Sequence, residues 1–262
     1  MFGTIIADAY KFDEIEVIAG YIDELCSPMD TVGWASAGIY SFWNYDTKEI
    51  LYIGLASDLY TRFRQHNGLL PIDTAACKYL QIQRHFECHE KLGYTIMTQS
   101  PLFQPIVYRN EKKYRKFLDK PKGSPIEDYA GEEGIEHIRK AEGQLLEAYR
   151  LVKGNLPLWN KVGGDRDARK MSTVNNYLQI IRAFSVSDEN NFLVSKSTIR
   201  ELAQNSKYEW FEVNLHALRT MMLTMGVSYQ DALEFHLILT PSYRSMFDFI
   251  EKENYLMKRL II

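Results

Sequence analysis

Between residues 38 and 53 the apolar positions alternate. Ile39, Ser41 and Trp43 share one face of an extended segment, and Tyr40, Phe42 and Asn44 share the other. The turn residues Asn44 to Lys48 follow, then the short apolar run Ile50–Ile53, so the pattern predicts an antiparallel hairpin whose second strand is broken by Gly54. Ser57 or Asp58 supplies an N-cap and Asn67-Gly68 a stop for a helix on which Arg62 and His66 lie one turn apart on one face. Upstream, Ile15, Ile18, Tyr21, Ile22 and Leu25 keep helical spacing with acids between them, which predicts an amphipathic helix within an N-terminal helical extension, residues 1–35.

Downstream, Tyr94–Thr98 and Pro105–Tyr108 read as further strands, one of which completes a small three-stranded antiparallel sheet. Gly134–Val152 reads as a long helix with Ile138, Leu145, Leu146, Tyr149 and Val152 on its apolar face, stopped by Gly154 and Pro157. The charged stretch 161–170 is a linker. After it come helical patterns at Asn175–Phe184, Thr198–Ala203, Phe211–Met225, Ser228 to Pro241 and Ser242–Leu260. The fold class is α+β, with a helical domain over 171–262. That domain has no basic recognition helix, so oligomerisation or partner binding suits it at least as well as DNA reading.

Composition adds little until it is divided along the chain. Net charge is −3, yet residues 1–35 hold seven acids and one base, whereas residues 36–170 hold 21 bases and 17 acids. The positive excess therefore lies with the hairpin and its helix, where a local field outweighs the total. Arg109–Lys122 is the most basic stretch, with Tyr114 and Phe117 interleaved. It reads either as a groove that tracks a phosphate backbone, through Lys112, Lys113, Arg115 and Lys116, or as an exposed helix or loop. No apolar run is long enough to span a membrane, the first residues lack the pattern of a signal peptide, and three cysteines suit a reducing, cytoplasmic setting. Cys77, His85, Cys88 and His89 match no standard zinc spacing.

The hairpin and helix gather two tyrosines, an arginine and a histidine. Tyrosine can exchange a proton, arginine grips phosphate oxygens through a planar fork, and histidine titrates near neutrality. These parts suit the attack of water on a phosphodiester. Gly38-Ile39-Tyr40, eleven intervening residues and Tyr52-Ile53-Gly54, with Arg62 ten positions after Tyr52 and His66 four later, closely resemble the GIY-YIG nuclease family. Glu142–Lys153 followed by Leu156–Asn160 resembles that family's closing part, where a helical glutamate binds the metal and an asparagine follows.

The resemblance implies a metal-dependent DNA endonuclease of residues 36–165, with an insertion at about 109–135. Tyr40 is the implied general base, Tyr52 orients water or phosphate, and Arg62 stabilises charge on the phosphate. His66 passes the proton onward, and Asn160 braces the site. Glu147, at the better interval from Asn160, is the expected ligand of Mg²⁺ or Mn²⁺, with Glu142 in reserve; Arg64 is at most a phosphate contact. Double-stranded DNA is the expected substrate, a restriction or defence role the expected setting, and a homo-oligomer or protein partner through 171–262 the expected assembly. The competing reading is a catalytically silent nucleic-acid-binding or scaffold module.

Overall fold

The computed structural model describes residues 2–26, 36–71, 77–105, 107, 109, 111–112, 127–171, 174–186 and 191–262. Strands β1 (Phe2–Tyr10), β2 (Gly38–Asn44), β3 (Ile50–Ala56) and β4 (Leu92–Gln99) form an antiparallel sheet in the order β1-β4-β2-β3. The predicted sheet of three strands is therefore corrected to four. Residues 2–10, expected in a helical extension, are a strand paired with β4. Their alternation is hidden because both faces are buried, polar positions included. Asp8 is held there by Arg200, 3.0 Å away, and Thr4 by Arg219, also at 3.0 Å. Both partners lie far along the chain, outside any local window.

The hairpin forms as predicted. Asn44 Oδ1 accepts from the backbone N–H groups of Asp46 and Thr47 at 2.9 and 3.0 Å and so closes the turn. β3 does not break at Gly54 but continues to Ala56. Pro105 and Val107 lie in no strand, and 106 and 108 fall outside the described residues.

Helix α1 (Ile15–Cys26) buries Ile15, Ile18, Ile22 and Leu25 as their spacing requires. It packs under one sheet face with α2 (Leu59–His66), α3 (Tyr79–Phe86) and α7 (Ile199–Gln204), around Ile6, Tyr10, Phe42 and Ile96. The other face carries Ile39, Trp43, Ile53 and Met97. Against it lie α4 (Glu127–Lys153), through Ile138, Leu145 and Leu146, and α6 (Val174–Ala183), through Ile180 and Ile181. α4 begins at Glu127 rather than Gly134. Short α5 (Arg166–Lys170) packs on α4. α8 (Ser206–Met225), α9 (Tyr229–Leu239) and α10 (Arg244–Lys252) share a third core around Phe211, Leu215 and Phe247. α10 is shorter than predicted: Asn254, in the left-handed region at φ 53°, ends it.

Candidate active site

The hairpin register sets Tyr40 opposite Gly54 and Phe42 opposite Tyr52, so both tyrosines emerge on the face that α2 covers. Gly54 leaves the room they need. A Cβ there would lie 2.6 Å from Tyr52 Cε1 and 2.8 Å from Tyr40 Oη. α2 is started by Asp58, whose Oδ1 accepts from Thr61 N–H at 2.9 Å. Asn67 fixes its other end, accepting from Tyr10 Oη at 2.9 Å and donating to the Phe63 carbonyl at 3.0 Å.

Arg62 and His66 both reach Tyr40 from α2. Arg62 Nε donates to Tyr40 Oη at 3.2 Å, and His66 Nε2 lies 2.6 Å from the same oxygen. The backbone N–H of Lys78 donates to His66 Nδ1 at 2.8 Å, so the neutral ring carries its proton on Nε2 and donates to Tyr40. Burial first, then Arg62 and Lys78, hold the His66 pKa well below its usual value and keep the ring neutral. His66 therefore has no free nitrogen with which to take a proton from Tyr40. The expectation of onward transfer through His66 is at odds with this geometry, in which the ring is a fixed donor.

Tyr40 Oη thus receives two N–H donors, an arrangement that favours a phenolate. Burial nonetheless raises its pKa well above 10, with Tyr52 adding to the rise and Arg62 opposing it. Tyr52 is also raised by burial and is hydrogen-bonded to Tyr40 and Arg62. Arg62 further donates from Nη1 to Gln65 Oε1 at 3.0 Å.

The carboxylate that joins this group is Glu142. Burial pushes its pKa up to about 7 and Arg62 pulls it back, while Glu142 in turn raises Tyr52. Glu147 lies elsewhere: its oxygens accept from Arg150 Nε and Nη2 at 2.9 and 2.6 Å. The two glutamates are five residues apart, a rotation of about 140° around the helix. Gly143 seats this turn of α4 on the loop at Asp165, whose carbonyl oxygen would lie 2.9 Å from a Cβ at that position. Of the two glutamates, the reserve candidate Glu142 interacts with Arg62 and Tyr52, whereas the expected ligand Glu147 is paired with Arg150.

Asn160 is tied to β3 beside Tyr52. Its Oδ1 accepts from Ile53 N–H at 3.0 Å and its Nδ2 donates to the Ile53 carbonyl at 2.8 Å. Arg64 points away, its guanidinium 5.1 Å from the Tyr60 ring centroid. Lys112 is exposed, and Lys113, Arg115 and Lys116 lie outside the described residues. Arg109, at the start of the basic stretch, is engaged by Asp23 and, at 3.3 Å, by Asp58. Lys78, which the sequence reading passed over, is beside Tyr52 and His66; only tertiary closure brings it there.

Among the described residues no group of three His, Cys, Asp or Glu side chains could hold a metal by itself. One carboxylate beside an arginine nevertheless fits Mg²⁺, which keeps several waters and takes substrate oxygens as ligands. His85 and His89 stack at 4.5 Å, and His89 Nδ1 lies 3.1 Å from Asp46, a surface contact outside this site. No described helix is long and apolar enough to cross a membrane.

Residues 36–98 match the family model of the GIY-YIG catalytic domain. The match includes Tyr40, Tyr52, Arg62, His66 and Lys78, and stops before Glu142 and Asn160. No curated protein and no solved structure gives a significant match.

Proposed function

From the premise that residues 36–98 carry a GIY-YIG catalytic domain, hence a nuclease domain of a kind generally dependent on a divalent metal, we propose that the protein is a DNA endonuclease using Mg²⁺ or Mn²⁺. The observation that carries this reading is the pair of N–H donors, Arg62 Nε and His66 Nε2, converging on Tyr40 Oη. Tyr40 gives its proton to solvent through Tyr52 and then, as phenolate, takes one from the attacking water. His66 and Arg62 hold that phenolate, and Arg62 also faces the charge that develops on the non-bridging phosphate oxygens. Glu142, with Asn160 keeping β3 in place, holds the ion. When bound, the ion supplies positive charge to the phosphate and the leaving 3′ oxygen.

Duplex DNA as substrate, contact through the 109–122 stretch, a restriction or defence role and a cytoplasmic setting belong to the same proposal. They are supported by the local positive charge and by three free cysteines. Association through residues 171–262 is proposed on Ile238 and Leu239 of α9, which are 73 and 76 % exposed. The test is incubation of the purified protein with plasmid and phage DNA in Mg²⁺ or EDTA, with Arg62→Ala as control and mapping of the ends. Metal-dependent cutting lost in the variant is expected. Binding without cutting by the wild type would support the silent scaffold instead.

A further inference from the structure

Lys78 opens α3 and is only 7 % exposed. Its Nζ lies 4.9 Å from the centroid of the Tyr52 ring, and its backbone N–H holds His66 Nδ1 at 2.8 Å. Tyr52 and Tyr40 pack with their rings tilted by 49° and centroids 5.8 Å apart, so the ammonium stands beside the pair that the site is built on. The side chains whose positive charge acts on it are Lys161 and Arg62, and among the described residues no carboxylate faces it. Burial first, then those two cations, lower its pKa.

A buried ammonium without an acid is costly, and further cations beside it add to the cost. A cation–π contact offsets only part of this. Glu142 neutralises the Arg62 side of the site but not the Lys78 side. No described carboxylate offsets the Lys78 ammonium, which stands against the Tyr52 ring at the edge of the site.

We propose that the Lys78 ammonium binds a non-bridging oxygen of the substrate phosphodiester beside Tyr52, making Lys78 a substrate-contacting residue of the active site. This rests on the nuclease reading above, and it divides the residue into two functions. The backbone fixes the His66 tautomer, and the side chain contacts phosphate. Substitution removes only the second, because every variant but proline keeps the N–H.

The experiment uses the full chain with Lys78→Met, Lys78→Gln and Lys78→Arg. Folding is checked by circular dichroism, single-turnover cutting is measured in Mg²⁺, and binding of a labelled DNA duplex is followed in EDTA across a salt series. Lys78→Met and Lys78→Gln should cut about 100-fold more slowly, the size of losing one charge-stabilising donor. Each should also lower the salt slope of binding by about 0.9, the share of one phosphate contact. Lys78→Arg should keep the slope and much of the rate. If the wild type cuts and folded Lys78→Met cuts equally well with an unchanged slope, the Lys78 assignment falls and the nuclease reading stands. If the wild type binds but never cuts, the nuclease reading falls and the salt slope alone decides Lys78. A wild type that neither binds nor cuts overturns both. Should Lys78→Met fail to fold, Lys78→Gln, which keeps a polar end, carries the comparison.

Discussion

At the scale of single residues, the candidate site depends on which side chains reach the Tyr40 hydroxyl. Glu142→Gln keeps shape and removes charge, so metal-dependent cutting should collapse while DNA binding survives; Glu147→Gln should cut nearly as the wild type does, because its carboxylate serves Arg150. Titration of Mg²⁺ against single-turnover rate checks this, and the reverse result would return the metal to Glu147. Gly54→Ala is the second test. Its Cβ would fall 2.8 Å from Tyr40 Oη, so one tyrosine must shift. Overpacking of this kind costs about 1–3 kcal/mol, and a displacement of about 1 Å at the reacting groups slows cutting by about 100-fold. A thermal melt beside a cutting assay separates the two effects. Tyr40, Tyr52, Arg62 and His66 were legible in the sequence because one hairpin and one helix set their spacing. The choice between Glu142 and Glu147 was not. It depends on the phase of α4 against the sheet, and nearness in sequence to Leu145 and Leu146 is not nearness on the helix surface.

At the scale of elements, the structure shows why some segments declare themselves and others do not. α1, α2 and the β2–β3 hairpin carry their own signals in periodicity, caps and turn residues. β1 does not, since Thr4 and Asp8 are buried polar positions whose partners come from α8 and α7. Likewise Lys78 joins the site only because α3 folds back so that its first N–H meets His66. A pH dependence follows from the buried histidines. His216, on α8, accepts from Thr4 N–H at 3.1 Å, and burial, followed by Arg219, lowers its pKa to about 3. Below the ordinary value of 6.5 the unfolded chain binds a proton there that the folded protein does not. Stability is therefore full above pH 6.5 and falls as pH drops from 6.5 towards 3, by about 2 kcal/mol at pH 5 from this residue alone. His66 acts in the same direction. Denaturant unfolding at pH 7 and pH 5 measures the loss, and His216→Gln should reduce it. An unchanged midpoint would mean that the ring is protonated in the folded state.

At the scale of the whole molecule, both outer strands of the sheet are already occupied. Along β1, Ile5 N–H donates to the Leu193 carbonyl at 2.8 Å and Ser195 N–H donates to the Ile5 carbonyl at 2.7 Å. Along β3, Trp159 N–H donates to the Leu51 carbonyl at 2.8 Å, and Asn160 takes both backbone groups of Ile53. Strand addition by another chain would have to displace these bonds at Ile5, Leu51 and Ile53. The C-terminal third thus covers part of the β1 edge through Leu193, Ser195 and Arg200. A fragment ending near residue 190 would bare the β1 edge and leave Asp8 without Arg200. Such a fragment should form thioflavin-positive aggregates where the full chain stays dispersed, and a monodisperse, folded fragment would show that β1 needs no such cover.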